Sequence, residues 1–420
     1  MSGPKTHVIG AGMAGLSAAV GLAKAGRDVA VHEVAGHAGG RCRSFEDASL
    51  GCRIDNGNHL LLSGNRSALE YLRDIGAGDS LTGSGKAEFP FLDLKTSERW
   101  TVALNAGFVP RALVSKARRV PGSRPADYLR VFRLAWAGNE VTVAQCLGPD
   151  NALFRRFWEP LAVAVLNTAA EEGAVSLMRN VIRETLLRGE AFCRPLIAKV
   201  GLSESFVDPA LRYLDGRGVE VNFNRRLREF VTGGGRVTSL NFGDGQIPLD
   251  GDDSVVLAVP PAAAQDLLPG LVAPTGSRAI VNGHFRLERD VEGMSFLGLV
   301  GGTAQWLFVR GDIASVTVSA ANKLAEEDTE GIANRLWADV AVALGLRGAP
   351  LPVHRIVKEK RATFPQTPEQ IRRRPGAPTT WKNLFLAGDW TDTGLPATIE
   401  GAIRSGAKAA GKIRNLSSWT

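Results

Sequence analysis

Apolar and polar positions near the start of the chain follow two different repeats. A short apolar strand ends before a glycine-rich turn, an Ala/Leu-rich helix follows, and a second apolar strand covers Asp28–Glu33. Apolar spacing predicts a helix over Asn65–Ile75, and alternation predicts strands within 87–104. From about residue 126 to 203 the spacing is again typical of helices.

Strand patterns return in the second half of the chain. Three short strands separated by glycine turns predict a β-meander that leads back into a parallel sheet. Residues 276–320 are rich in strand formers, and a helix is expected near Thr329–Leu344. A short buried strand at Asn383–Ala387 precedes a final Ala/Gly-rich helix. The strands in and around the meander are Val219–Phe223, Leu227–Val231, Arg236–Phe242 and Val255–Val259.

This order of elements predicts an α/β fold with two domains. One is a Rossmann-type nucleotide-binding domain with a β-meander, and the other is an inserted α+β substrate-binding domain. The first is expected to be discontinuous, formed by residues 1–85, 204–268 and 355–420. The second, formed by 86–203 and 269–354, has a helical part that is expected to lie near a membrane.

A glycine triplet followed by an acidic residue makes the first strand–helix–strand unit a dinucleotide site. Gly10 permits a tight turn, Gly12 allows close approach of a pyrophosphate, and Gly15 allows close helix–strand packing. Free N–H groups at the helix N-terminus, around Ala14, favour phosphate. Glu33 ends the second strand, where a carboxylate can accept hydrogen bonds from ribose hydroxyls.

Two further segments favour FAD over NAD. Gly39 and Gly40 permit close backbone approach, and Arg41 can supply a cation to a diphosphate or a flavin carbonyl. Near the other end, a strand stops at Gly388 and Asp389, and a helix begins near Pro396–Ile399. Asp389 can bind ribitol hydroxyls, and the helix N-terminus (Ala397, Thr398, Ile399) can stabilise negative charge on the flavin.

These residues resemble the FAD-dependent amine oxidase and carotenoid desaturase superfamily. Within it, the chain is most similar to the squalene-associated, desaturase-like group, which includes hydroxysqualene dehydroxylases of hopanoid biosynthesis. The resemblance is specific at 8–41 and 384–410 and covers most of the chain. It implies FAD contacts by the glycines and acids named above, by Arg41, and by the backbone of Leu227 at the adenine. The implied reaction converts hydroxysqualene to squalene.

Departures from the wider superfamily narrow the expected chemistry. The segment PATIEGA lacks the aromatic residue that amine oxidases often place before the glycine. No cysteine follows Cys193, so a C-terminal cysteinyl–flavin link is excluded and FAD is expected to be bound non-covalently. There is no second complete GxGxxG unit, which indicates an external electron donor.

Three residues are candidates for the acid that protonates the leaving hydroxyl. Losing hydroxide from an alcohol is slow without a proton donor. Asp55 and His59 lie in a segment that the superfamily directs toward the isoalloxazine, and Asp392 lies in the C-terminal loop. Asp55 and His59 have structural alternatives, Asp55 as a loop anchor and His59 as a satisfied buried imidazole.

Composition and charge suggest that part of the protein surface binds an anionic partner. The net charge is +7 with a pI near 9.4. Residues 110–136 hold seven cations and one acid among aliphatic and aromatic residues, which suits an anionic membrane surface. The alternative is a solvated basic face, and no nucleic-acid motif accompanies the charge. The cations are Arg111, Lys116, Arg118, Arg119, Arg124, Arg130 and Arg133.

The remaining expectations concern location and metals. Four cysteines without close spacing indicate a reduced, cytoplasmic protein, with peripheral membrane association as the addition suggested by the charge. No ligand spacing supports a metal site.

The predicted function is therefore FAD-dependent reductive dehydroxylation of hydroxysqualene to squalene, with an external electron donor. Two alternatives stay open on the sequence. One is a desaturase that removes hydride from a polyene, and the other is a non-catalytic prenyl-chain-binding protein of the same fold.

Overall fold

A computed structural model describes residues 4–104 and 115–416. Its first layer is a five-stranded, all-parallel sheet built from three separate parts of the chain. The spatial order is β10, β2, β1, β14, β20. These strands are β1 (Lys5–Ile9), β2 (Asp28–His32), β10 (Glu220–Asn222), β14 (Ser254–Leu257) and β20 (Leu384–Leu386).

Helices cover one face of this parallel sheet. Gly406 allows the last helix to touch the first, since a Cβ there would lie 2.1 Å from the carbonyl oxygen of Ala14. The antiparallel meander packs on the other face. The helices are α1 (Met13–Lys24), α2 (Arg66–Asp74), α7 (Asp208–Asp215) and α12 (Ile399–Leu416), and the meander strands are β11 (Glu229–Gly233), β12 (Arg236–Asn241) and β13 (Gln246–Pro248). The predicted Rossmann-type α/β fold with its meander is confirmed.

A seven-stranded mixed sheet forms the second layer. Its order is β19, β15, β18, β17, β16, β7, β8. Helices α9 (Asn322–Glu326) and α10 (Thr329–Leu344) pack on one face through a core that includes Phe285, Val316 and Leu336. The strands are β7 (Glu88–Asp93), β8 (Arg99–Ala103), β15 (Arg278–Arg286), β16 (Phe296–Val300), β17 (Trp306–Arg310), β18 (Ile313–Val318) and β19 (His354–Thr363).

Strand β19 corrects the expected domain boundary at residue 355. It pairs along its length with β15, so it belongs to the seven-stranded sheet rather than to the nucleotide-binding segments. The sequence did not predict this strand because HRIVKEKRAT is mostly charged, and only Ile356 and Ala362 are buried. Charged residues are typical of an edge strand, whose pairing is fixed by its neighbour.

The opposite face of the seven-stranded sheet is covered by the helical insertion. Its elements are α3 (Pro125–Leu129), α4 (Val143–Leu147), α5 (Glu159–Leu166) and α6 (Val175–Glu184), with a π-helical turn at Phe154–Trp158. Small elements that complete the fold are β3 (Ser44–Asp47), β4 (Cys52–Asp55), β5 (Leu61–Leu62), β6 (Leu81–Thr82), β9 (Pro195–Ala198), α8 (Pro261–Leu267) and α11 (Pro368–Arg372). Within the described ranges, no helix has both the length and the apolar character needed to cross a bilayer.

Candidate active site

The glycine turn after β1 leaves open space at one position only. A Cβ on Gly10 would lie 2.5 Å from the Ala258 carbonyl oxygen, and one on Gly15 would lie 1.8 Å from that of Gly10. Gly12 differs, because its Cβ would meet nothing within 4 Å and it caps the N-terminus of α1. An unfilled position before a helix N-terminus suits a phosphate ligand.

Glu33 lies beside this turn. Its Oε2 accepts a hydrogen bond from the Ala11 N–H at 2.7 Å, and its Oε1 accepts one from the Ala35 N–H at 2.8 Å. Each carboxylate oxygen keeps a lone pair for a further donor. The Arg225 N–H donates to the Glu33 carbonyl oxygen at 2.8 Å, which brings the buried Leu227 to the same end of the sheet.

The second glycine pair crosses over the first turn. The Gly39 N–H donates to the Ala11 carbonyl oxygen at 2.8 Å, and a Cβ on Gly40 would lie 3.4 Å from the Gly12 Cα. Both glycines have positive φ, at 97° and 57°. The two glycine motifs therefore form one continuous backbone surface.

Arg41 and Asp389 form an ion pair across the site. The Arg41 Nη2 lies 2.9 Å from Asp389 Oδ1 and 2.8 Å from Oδ2, and Nη1 donates to the Ala362 carbonyl oxygen. The negative charge of Asp389 raises the pKa of Arg41 above its ordinary value. Trp390 lies close over Gly388, where a Cβ would be 2.4 Å from the indole Nε1. Both ends of the predicted cofactor site are thus in contact.

The start of α12 is only partly free to bind a ligand. The Ala397 N–H donates to the Gln366 Oε1 at 2.8 Å, so it is already paired within the protein. The Thr398 hydroxyl accepts from the Gly401 N–H at 3.2 Å and caps the helix, which begins at Ile399. Gln366 was not predicted as a site residue. It is fully buried and lies in a loop that carries no sequence motif.

Asp55 is buried and fully engaged by its neighbours. Its Oδ1 accepts hydrogen bonds from the Ser44 hydroxyl at 2.6 Å and the Leu202 N–H at 2.9 Å. Its Oδ2 lies 3.2 Å from the Arg310 Nη2. Three donors from separate parts of the chain therefore hold the Asp55 carboxyl group, which makes it a structural anchor.

His59 and Asp392 occupy different surroundings. His59 is partly buried, and burial lowers its pKa, as does the charge of Arg41, while Asp55 opposes them. The charges of Asp55 and Arg41 therefore both act on the His59 ring. Asp392 is exposed, and its Oδ1 accepts from the Gly394 N–H at 3.1 Å, which closes a surface turn.

One face of the seven-stranded sheet presents a polar strip to the His59 loop. Asn282 and Thr317 are cross-strand partners, and the Thr317 hydroxyl donates to Asn282 Oδ1 at 2.7 Å. The Asn58 Nδ2 donates to the Thr317 Oγ1 at 3.1 Å, and the Asn282 Nδ2 donates to the Asn56 carbonyl oxygen at 3.1 Å. These two hydrogen bonds fix the loop just before His59, on its N-terminal side.

A buried imidazole extends this polar strip. His284 pairs with Ser315 across β15 and β18, and its Nδ1 lies 2.8 Å from the Ser315 Oγ. Burial lowers the pKa of His284 to about 4, so the ring is neutral at neutral pH. The signal for this strip was available, since polar residues recur at every second position in otherwise apolar strands. The strip itself was not predicted.

The same face becomes aromatic toward β16 and β7. Cross-strand pairing puts Trp306 opposite Thr317, Phe308 opposite Ser315, and Phe296 opposite Phe308. Phe91 packs edge-on against Trp306 with ring centroids 5.5 Å apart. Leu60 and Leu62, which follow His59 in the chain, pack against the hydrophobic cluster that contains Phe91 and Trp306. The His59 loop thus runs along a face that is polar at one side and aromatic at the other.

Comparison with known sequences places this chain among flavoproteins. The profile of flavin-containing amine oxidoreductases matches residues 13–414. Hydroxysqualene dehydroxylase of Sinorhizobium fredii is 48% identical over 96% of this chain and 97% of its own length. That of Rhodopseudomonas palustris is 47% identical over 96% and 97%. Zeta-carotene desaturase of Synechocystis is 23% identical over 97% of both chains.

Solved structures share the fold. Cyclohexylamine oxidase from Brevibacterium oxydans superposes with a TM-score of 0.71 at 16% identity and covers 99% of both chains. At this identity the likeness concerns the fold alone.

Proposed function

The chain belongs to the flavin-containing amine oxidoreductase family, and from its 47–48% identity to two hydroxysqualene dehydroxylases we propose that it reduces hydroxysqualene to squalene. It is an FAD-dependent oxidoreductase. The reaction takes an alcohol, a hydride and a proton to a hydrocarbon and water. The observation that carries the substrate assignment is the sheet face along the His59 loop, which offers an aromatic surface beside a polar strip.

When bound, reduced FAD would supply the hydride, and the backbone surface of the two glycine motifs would hold its pyrophosphate. The open position at Gly12 is the observation that favours this fit. We assign the ribose to Glu33, and the ribitol and flavin side to Arg41 and Asp389. The proposed FAD contacts are Gly10, Gly12, Ala14, Gly15, Glu33, Gly39, Gly40, Arg41, Leu227, Gly388, Asp389, Thr398 and Ile399. Ala397 is left out because its N–H is already bound to Gln366.

The cofactor is proposed to be held without a covalent link. Cys42 follows Arg41 directly, but burial raises the pKa of its thiol far above the ordinary value. A buried thiol of this kind is unreactive. Denaturation with acid should therefore release all flavin into the supernatant, and colour that stays with the washed pellet would contradict this assignment.

The protein's own contribution to the chemistry is to exclude water and to place a proton. Trp306, Phe308 and Phe296 offer an apolar surface for the isoprenoid chain, and ionisation of the C–O bond there is shielded from recapture by water. Aromatic faces also attract cations. Asn58 and Thr317 place hydrogen-bonding groups beside His59, which is the proposed proton donor to the leaving hydroxyl.

A basic, aromatic segment is the proposed contact with an anionic membrane, where so apolar a substrate resides. Leu129, Phe132 and Trp136 are 51%, 57% and 82% exposed. Lys116 and Arg118 lie in the same segment. Part of the predicted stretch 110–136, namely residues 110–114, lies outside the described residues. Exposed apolar side chains among cations suit binding at a lipid surface.

Anaerobic incubation of the dithionite-reduced protein with hydroxysqualene tests the function. One squalene should form for each reduced FAD consumed, and deuterium from the flavin N5 should appear on the carbon that lost oxygen or on its allylic partner. An untouched substrate, combined with new double bonds formed in a polyene by oxidised enzyme, would instead establish the desaturase alternative. A colourless protein that does not take up FAD would establish the prenyl-binding alternative. An external electron donor is also proposed. Dithionite takes its place in this experiment, so the result does not depend on which donor the protein uses.

A further inference from the structure

Arg374 is a buried cation outside the residues assigned above. It is 7% exposed, and its guanidinium lies over the ring of Phe364 at 5.7 Å. Among the described residues, no carboxylate lies within ion-pair distance of it. Charged groups are costly to bury without a partner, so a buried cation at this place needs hydrogen-bond acceptors to offset that cost.

The acceptors of Arg374 all belong to one loop. Nη1 donates to the Leu395 carbonyl oxygen at 2.8 Å, and Nη2 donates to the Asp389 carbonyl oxygen at 3.1 Å. Nη2 also donates to the Thr391 carbonyl oxygen and lies 3.4 Å from the Thr393 Oγ1. One planar group thereby fixes the backbone from Asp389 to Leu395.

This loop joins the two C-terminal parts of the proposed flavin site. It begins at Asp389, which pairs with Arg41, and it leads to the N-terminus of α12. We propose that Arg374 is a positioning residue for the flavin, and that its buried positive charge makes the bound cofactor easier to reduce. The inference rests on the proposed flavin site.

Two physical effects underlie the proposal, and they are separable. The fixed fork of the guanidinium shapes the loop, which no other side chain can reproduce. A cation in a poorly hydrated region stabilises the negative charge of reduced flavin more than it would in water. Burial lowers the pKa of Arg374 to about 10, opposed by Asp392 and Asp389, so the group stays charged at neutral pH.

Three variants test these effects. Arg374→Gln removes the charge and the fork, whereas Arg374→Lys keeps the charge and loses the fork. Arg372→Gln is the matched control. Arg372 lies two residues before Arg374, is exposed and pairs with Glu140, so this variant removes one positive charge from the surface. The measurements are hydrogen exchange of residues 388–397 in apo protein, the FAD dissociation constant, and the midpoint potential of the bound flavin.

Arg374→Gln should speed exchange in the loop, weaken FAD binding at least tenfold and shift the potential to more negative values. Arg374→Lys should reproduce the first two effects but keep a potential near that of the wild type, and Arg372→Gln should change none of the three. Unchanged exchange, affinity and potential in Arg374→Gln would overturn the proposal. So would global unfolding of both Arg374 variants, since the residue would then serve the core. Wild-type protein that fails to bind FAD would refute the flavin site itself.

Discussion

The Arg41 guanidinium donates to both carboxylate oxygens of Asp389, and the two residues lie 348 positions apart in the chain. Each was expected to contact the cofactor separately. The pairing shows that the two ends of the predicted site form one electrostatic unit, in which a buried carboxylate is balanced by a partly exposed cation. Substitution of either residue will therefore affect the other, and their effects on flavin binding should not add.

Gly12 and Gly15 form a matched pair that separates binding from folding. Gly12→Ala places a methyl group in open space at φ −73°, so stability should fall by less than about 1 kcal/mol, the cost of a poorer N-cap. FAD affinity should drop at least tenfold, because the methyl occupies the phosphate position. Gly15→Ala collides with backbone and should cost roughly 1–3 kcal/mol or more. Thermal unfolding and FAD titration distinguish the two; a Gly12→Ala protein with normal affinity would remove phosphate from this position.

His59 should give the reaction an acid-favoured pH profile. Its lowered pKa leaves the ring neutral at neutral pH, so the protonated fraction grows about tenfold per unit as the pH falls toward that pKa. kcat/KM should rise on acidification below pH 8 in the wild type and lose this dependence in His59→Gln. The rate of His59→Gln should be lower by about 10²–10⁴, with FAD affinity retained. A variant with an unchanged profile would require another acid.

Asp55 and Asp392 are the comparison residues for this test, and they should behave differently from each other. Asp55→Asn removes the charge that Arg310 and the Leu202 N–H bind, so it should lower stability by about 1–3 kcal/mol in the apo protein. Asp392→Asn affects an exposed turn and should change neither stability nor rate appreciably. Differential scanning calorimetry measures the stability of both variants, and turnover assays measure their rates. A variant that loses rate without losing stability would instead identify its residue as the acid.

The exposed aromatic segment should govern binding to anionic vesicles. Charge reversal of Lys116, Arg118 and Arg119 to Glu should reduce co-sedimentation with acidic liposomes, since each cation contributes about 1 kcal/mol near such a surface. Trp136→Ser should weaken binding further, and Val353→Ser, at a site 52% exposed elsewhere, is the matched control. Salt should weaken the attraction. Equal binding to neutral vesicles would assign the segment to an ordinary solvated face.

Two stacked histidines should make the protein sensitive to acid. His7 Nδ1 lies 3.2 Å from His32 Nε2, and burial lowers their pKa values to about 4 and about 3. Well above pH 6.5 these histidines are neutral in both the folded and the unfolded chain. As the pH falls below the unfolded value, the unfolded chain binds protons that the folded chain does not, so stability declines until the folded-state pKa values are reached, about 4 for His7 and about 3 for His32. The Tm should fall over this range and fall less in His7→Gln; identical pH curves would mean that other groups control acid unfolding.

The sequence alone determined the local parts of this protein. The glycine spacing, the acid at residue 33 and the apolar periodicities are set by backbone sterics and by repeats of 3.6 and 2 residues, which act within a short window. They predicted the parallel sheet, the meander and α1 with its open N-terminus. The two motifs that contain Arg41 and Asp389 also identified these residues as cofactor contacts, but not as partners of each other.

Only the tertiary structure decided which side chains are engaged and which remain available. Asp55 and His59 are four residues apart and looked equally suited to acid catalysis, yet Arg310 and the Leu202 N–H bind the carboxyl group of the first, while burial lowers the pKa of the second. The roles of Arg374 and of the polar strip on β15 and β18 arise likewise from partners far away in the chain. Such contacts depend on how layers pack, and no local pattern encodes the distance between residues that only folding brings together.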